Sequence, residues 1–133
     1  MRGVDGVKKN ILSIYERKRA AVFGFCAEYA QIGLRYFYDE QGASPSTPGR
    51  FWFNRTAQAA MRIISMPRQS GDTIAWRMAH GVRYGVYLEL ANDRKHEALR
   101  PIIQRFSGRL LEDIGKLYAD KPKEKGKVRN LLG

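Results

Sequence analysis

The N-terminal quarter of the chain carries the pattern that most restricts the fold. Between Val4 and Tyr36, apolar residues recur every three or four positions, and Lys18 alone interrupts the series. The series consists of Val4, Val7, Ile11, Ile14, Val22, Phe25, Tyr29, Ile32 and Tyr36. This spacing predicts one face of a continuous helix about 45–50 Å long, for which Asp5 is an N-cap candidate. Such a helix needs neighbours along its length, so it must organise a chain of 133 residues.

A β-hairpin is predicted at about residues 61–79. Two apolar runs flank a polar turn at residues 69–72, and the second run alternates between an apolar and a more polar face. Its apolar face consists of Ile74, Trp76 and Met78. Because an isolated hairpin is marginally stable in water, we expect this one to pack on the long helix or to join strands of sister subunits.

The second half of the chain predicts two more helices. The run Val82–Leu90 is compatible with helix or strand, and we favour a short helix. A polar connection follows, in which Asn92 or Asp93 can cap, and Pro101 suits the first turn of the next helix. That second long helix has an apolar stripe at helical spacing. The stripe consists of Leu99, Ile102, Ile103, Phe106, Leu110, Ile114 and Leu117.

Together these elements predict an α+β fold, with the two long helices packed on a small antiparallel β-sheet in a single domain over residues 1–119. Residues 39–50 are rich in Gly, Pro and Ser and predict an exposed, flexible loop, whereas residues 120–133 predict a basic, flexible tail. Directly after the loop stand Phe51, Trp52 and Phe53, which cannot all face the same way in a strand. They either close the end of the core or contact another subunit.

Charge restricts the class of partner. The chain has 24 Lys and Arg against 13 Asp and Glu, a formal net charge of +11, which favours nucleic acid, an acidic protein face or, less readily, a membrane surface. No base-reading motif is evident, so any DNA contact is predicted to be non-specific. The candidate contacts to DNA or to another partner are Arg62, Arg68, Arg77 and Arg83 around the hairpin and Lys123, Lys125, Lys127 and Arg129 in the tail.

The sequence predicts a protein made in the cytosol and not inserted in a membrane. It has no run of about 18 apolar residues and no signal-peptide pattern. Cys26 is the single cysteine, so no disulfide can form within one chain, and its place in the helical pattern is that of a small core residue.

Catalytic chemistry finds little support in the sequence. His80 and His96 are the only histidines, sixteen positions apart, and neither fits a metal-ligand or triad spacing. We therefore expect no enzymatic activity, no metal and no cofactor.

Glu89 is the most informative charged residue. It stands between two leucines, where a carboxylate is costly to bury alone. We expect it to pair with an arginine, either Arg83, Arg100 or one from a neighbouring subunit, or else to face water.

The segment around Glu89 also carries a resemblance to a known family. The order of Tyr84–Leu90 (Tyr-x-x-Tyr-x-Glu-Leu), a polar loop and Leu99-Arg100-Pro101 at the start of the last helix resembles the tail-completion and head–tail joining proteins of long-tailed bacteriophages. The similarity covers most of residues 7–119. The family's Pro-Gly loop is matched by Ser44–Gly49, and its Thr-Gly-x-Leu element by Thr56–Ala59, with Ala57 in place of the glycine.

The resemblance implies a virion structural protein that forms a ring, often a hexamer, at the head–tail junction. Such a ring is assembled in the host cytoplasm, joins the head connector or adaptor protein to the tail tube or tail terminator protein, and lets DNA pass through its lumen. A ring needs contacts between different patches of neighbouring copies. The candidates for these subunit contacts are Phe51, Trp52, Phe53, Trp76, Tyr84, Tyr87, Glu89 and Arg100. The alternative is a small basic protein that binds nucleic acid non-specifically and needs no ring.

Overall fold

Helix α1, Arg2–Gln41, is the longest element of the fold. In the computed structural model, which describes residues 2–119, its 40 residues form a rod about 60 Å long. The helix continues past the end of the apolar series at Tyr36 and takes up the first three residues of the predicted loop 39–50. The predicted loop is therefore too long at its N-terminal end. The predicted tail, with Lys123, Lys125, Lys127 and Arg129, lies outside the described residues.

The predicted hairpin is present and is formed by β3, Ile63–Ser70, and β4, Thr73–His80. The two strands pair antiparallel, from Ile63 opposite His80 to Ser70 opposite Thr73. Gly71 begins the two-residue turn with a φ of +59°, a conformation that glycine adopts without a steric penalty.

One face of the hairpin packs on α1. Ser65 joins the two elements, because its Oγ donates to the carbonyl of Ala30 at 2.6 Å and accepts from Nε1 of Trp76 at 3.0 Å. The Trp76 ring lies directly against Gly33, where a Cβ would collide with it. A small residue on the helix therefore lets the indole approach the backbone.

Two further helices complete the fold: α3, Gly85–Arg94, and α4, Leu99–Ala119. The preference for a short helix after the hairpin is confirmed, and Pro101 lies in the first turn of α4. Helix α4 packs antiparallel to α1 and buries four residues of its predicted stripe, namely Leu99, Ile102, Phe106 and Leu110. The α+β fold, with two long helices on a small antiparallel sheet, is confirmed.

Three short elements connect α1 to the hairpin. They are β1, Thr47–Pro48, β2, Phe53–Asn54, and the single-turn helix α2, Gln58–Met61. Strands β1 and β2 pair with each other and form a second, very small sheet.

The buried side chain of Gln41 holds this connection on the end of α1. Its Nε2 donates to the carbonyl of Trp52 at 2.8 Å and to Oδ1 of Asn54 at 2.7 Å. Its Oε1 accepts from the backbone N–H of Phe51 at 2.9 Å, and a Cβ on Gly49 would collide with the amide. The base of the predicted loop is thus tied to the helix by hydrogen bonds. Within residues 2–119, no helix is long and apolar enough to span a membrane.

Candidate assembly site around helix α3

Glu89 joins three elements of the fold. It projects from α3, and its Oε1 lies 2.9 Å from Nε2 of His80 at the end of β4. The same carboxylate accepts from the backbone N–H groups of Ala98 at 2.9 Å and Leu99 at 3.2 Å. These donors open α4 and would otherwise lack a partner, so Glu89 acts as the cap of that helix.

This arrangement corrects two expectations from the sequence. Glu89 pairs with His80 and with backbone donors, whereas we expected an arginine or water. Arg100 lies next to Glu97 at 2.9 Å instead. The cap of α4 is not Asn92 or Asp93, since both lie within α3 and the carboxylate comes from one turn earlier in that helix.

The surroundings keep the Glu89 carboxylate ionised. Burial by itself raises the pKa of this group, whose side chain is 15% exposed. Hydrogen bonds from His80 and from two backbone N–H groups outweigh the effect of burial, so the pKa of Glu89 lies below its ordinary value. A carboxylate only accepts hydrogen bonds, so Nε2 of His80 carries the proton of this contact.

The contact between β4 and α3 is close because of one glycine. A Cβ on Gly85 would collide with Cβ and Cγ of His80. The His80 side chain is 5% exposed, and its Nδ1 is buried without a hydrogen-bond partner among the described residues. His80 is therefore held in place by packing and by Glu89.

A groove of about 420 Å³ opens on the outer side of α3. Tyr84 and Leu88 form one wall, and the segment 52–59 forms the other. The phage-like Thr56–Ala59 element and the phage-like Tyr84–Leu90 segment therefore meet in space, although they are far apart in the sequence. Glu89 faces the other way and contacts the start of Leu99-Arg100-Pro101. All three segments that carry the resemblance converge on α3.

Ala57, at the start of α2, has an unusual backbone conformation. Its φ is +64°, in the left-handed region, and no side chain caps the helix that follows. Only glycine enters this region without a steric cost. The position at which the phage family has glycine is thus one where the local fold favours glycine.

The predicted interface residues divide into two groups. Four of them make their contacts within the chain: Trp52 is buried, Phe51 stacks on Phe37 at 5.9 Å, Trp76 packs on α1, and Glu89 caps α4. The other four leave much of their surface free, with exposed fractions of 56% for Phe53, 47% for Tyr84, 67% for Tyr87 and 54% for the Arg100 side chain.

The consecutive aromatics 51–53 therefore serve both ends that the sequence left open. Phe51 and Trp52 close the core next to Phe37, while Phe53 points outward beside the groove. Contact of any of these residues with a second subunit stays a prediction.

The four hairpin arginines are exposed. They are Arg62, Arg68, Arg77 and Arg83. Within residues 2–119, none of them forms an ion pair with a carboxylate. Arg77 lies opposite Met66, and Arg68 opposite Ala75, on the hairpin face turned away from α1. This face can accept an anionic partner without breaking an existing ion pair.

The remaining reactive groups have structural contacts. Nδ1 of His96 lies 2.8 Å from the carbonyl of Phe51. Cys26 is 2% exposed, as expected for a core residue, and burial raises the pKa of its thiol. Over the described part of the chain, no three His, Cys, Asp or Glu side chains come together in a way that could hold a metal ion.

Comparison with known proteins adds no relative: no family model, curated protein or solved structure matches this chain.

Two parts of the site could not be read from the sequence. Gln41 and Asn54 form a buried pair of amides, yet each stands in an unremarkable polar context. The left-handed conformation of Ala57 has only one sequence signal, which is the glycine that the family has at this position. Patterns of hydrophobicity carry no information about either feature.

Proposed function

We propose that this chain is a structural protein of the phage virion, which forms a homo-oligomeric ring, most simply a hexamer, at the head–tail junction. In this role it joins the head connector or adaptor protein to the tail tube or tail terminator protein, and DNA passes through the ring. The chain acts as a building block and carries out no reaction.

One observation carries the proposal: the three segments that resemble the phage family meet around α3. Short motifs often match by chance, but chance matches have no reason to be neighbours in the fold. Here Thr56 and Tyr84 line one groove, and Glu89 accepts hydrogen bonds at the start of the Leu99-Arg100-Pro101 segment. The spacing of the motif therefore has a physical basis, since its glutamate caps the helix that its Leu-Arg-Pro opens.

The conformation of Ala57 supports the proposal independently. A family glycine at this position is explained by a φ of +64°, which the present chain retains with an alanine. The substitution thus departs from the family's residue while keeping the conformation for which that residue is suited.

The exposed surface also fits assembly. Phe53, Tyr84 and Tyr87 lie beside one another in the fold around the groove, each about half or more exposed. Exposed aromatic side chains in one area are typical of protein–protein contacts.

A second function has one specific observation in its favour. The exposed hairpin arginines have no carboxylate partner within the described residues, which suits a small protein that binds nucleic acid non-specifically as a monomer or dimer. Such binding depends on charge, so its affinity falls steeply as salt is raised.

The mass of the purified chain separates the two functions. We expect light scattering at low and high salt to give the mass of a multimer, and negative-stain images of the same sample to show closed rings. Replacing Tyr87 by Ser should reduce the mass, whereas Met61→Ser, which changes a side chain of similar exposure outside the predicted interface, should not. A monomer that binds DNA only at low salt would contradict the ring and support the alternative.

A further inference from the structure

The N-terminal part of α1 extends beyond the rest of the fold. Residues 6–17, here called the arm, are all exposed. Helix α4 ends at Ala119, next to the point where Nζ of Lys18 lies 5.1 Å from the centre of the Tyr118 ring. The hairpin turn reaches only as far as Arg19 and Tyr15. The rest of the arm is a helix whose described neighbours are water.

The arm carries an apolar stripe that nothing within the described chain covers. Val7, Ile11 and Ile14 are spaced four and three positions apart, so they share one face, and they are 57%, 60% and 44% exposed. They continue the same stripe that packs on α4 further along α1. A helix this short gains little stability in water by itself, and a row of exposed apolar side chains marks a contact surface.

Helix α4 carries a second bare stripe, on the side opposite its buried residues. Leu111 and Tyr118 are 66% and 52% exposed and stand seven positions apart, two turns along one face. Gly108 and Gly115 alternate with them, and no atom lies within 4 Å of a Cβ built at either glycine. We call these four residues the α4 stripe. A partner helix can approach its backbone closely.

The charges around the two stripes are opposite in sign. The arm has Lys8, Lys9 and Arg17 against Glu16, a net charge of +2. The second half of α4, residues 110–119, has Glu112 and Asp113 against Lys116, a net charge of −1 in a chain that is strongly basic. Contact of an arm with an α4 stripe therefore brings unlike charges together, whereas contact of two arms opposes +2 with +2.

The negative field on α4 is felt inside the fold as well. The hydroxyl of Tyr29 donates to Oδ2 of Asp113 at 2.7 Å. Burial, this hydrogen bond and the nearby charges of Asp113 and Glu28 raise the pKa of Tyr29 to about 12. Carboxylates thus dominate the field beside the α4 stripe.

We propose that the arm of one copy docks on the α4 stripe of a second copy of this chain. The inference rests on the proposed ring and names one of its subunit contacts. Each copy offers its arm on one side and receives an arm on the other, so the contact joins two different patches, as ring closure requires. Residues 120–133 are a poor occupant of the arm, because their Lys and Arg residues would oppose its own positive charge.

The test uses two variants that each destroy one side of the contact. Ile11→Arg changes the arm, and Leu111→Arg changes the α4 stripe; both positions are exposed, so circular dichroism and thermal unfolding should be almost unchanged. We expect each variant alone to have the mass of a monomer. Mixed in equal amounts, they should form a heterodimer and nothing larger, because one intact arm meets one intact stripe. Leu12→Arg is the control, since Leu12 is 57% exposed but lies on the opposite face of the arm.

The other outcomes overturn the inference in recognisable ways. If arms paired with arms, Leu111→Arg would keep the mass of the wild type and mixing would restore nothing. If both variants still formed rings, the contact would lie elsewhere and the proposed ring would stand without it. A wild-type chain that is monomeric at every salt concentration and on mixing with virion components would contradict the ring and the arm contact together.

Discussion

The carboxylate of Glu89 accepts a hydrogen bond from the backbone N–H of Leu99, whose nitrogen lies 3.2 Å from Oε1. The same oxygen atom contacts His80, so one side chain fixes the end of the hairpin, α3 and the start of α4 relative to one another. The groove lies on the opposite side of α3, and its shape depends on where α3 sits. Glu89 is thus a positioning residue for the surface that we assign to assembly.

Replacing Glu89 by Gln should destabilise the fold by about 2 kcal/mol at pH 7, because a charged acceptor of several hydrogen bonds becomes a neutral group. The folded-state pKa of Glu89 lies below its ordinary value, so its contribution is present above the pKa of an unfolded glutamate, about 4.3, and is lost as the pH falls through the folded-state pKa. Urea unfolding between pH 3 and pH 7 measures this.

The wild type should therefore lose more stability than Glu89→Gln as the pH is lowered across that window. Glu28→Gln serves as the control, since Glu28 is exposed on α1 and its replacement should change the stability by less than about 0.5 kcal/mol. Parallel pH profiles for the wild type and Glu89→Gln would show that the Glu89 contacts contribute little.

Two glycines of α1 should respond to alanine in opposite directions. At Gly33 a methyl group meets the Trp76 ring, which cannot move freely because its Nε1 is bonded to Ser65. We expect Gly33→Ala to cost about 1–3 kcal/mol through overpacking, in spite of the better helix propensity of alanine. At Gly24 nothing lies within 4 Å, so Gly24→Ala should stabilise the fold by about 0.5–1 kcal/mol. Thermal unfolding of both variants compares them directly, and equal shifts would contradict the close packing of Trp76.

Glycine at position 57 should be tolerated unusually well. Ala57→Gly loses a buried methyl, worth about 0.8 kcal/mol, and adds chain entropy of about 0.4–1 kcal/mol, but it relieves about 1–2 kcal/mol of left-handed strain. We expect a stability within about 0.5 kcal/mol of the wild type. Ala60→Gly, in the same short helix, has no such strain to relieve and should lose about 1.5–2 kcal/mol. Similar losses in the two variants, measured by urea unfolding, would remove Ala57 as support for the phage resemblance.

The elements that repeat along the chain were predictable, and the contacts that hold their ends were not. Apolar residues every three or four positions gave both long helices, and alternation around Trp76 gave the hairpin within two residues. The partner of Glu89 was missed because charge patterns suggest arginines, whereas the actual donors are a histidine and two backbone N–H groups across a loop. Sequence periodicity reports which face is buried, and it is silent about which polar atoms meet there.

The buried amide of Gln41 should control the order of the segment that follows α1. The composition of residues 42–50 predicts flexibility, yet Gln41 bonds the backbone on both sides of Trp52. In Gln41→Leu these buried groups lose their partner, and each unsatisfied group costs about 1–3 kcal/mol, so we expect a loss of about 3 kcal/mol in total. Proteolytic cleavage within residues 42–50 should become faster in proportion, because the segment opens more often. Gln31→Leu, on an exposed face of the same helix, should change neither quantity. Rapid cleavage of the wild type, unchanged by Gln41→Leu, would mean that the segment is flexible in spite of these hydrogen bonds.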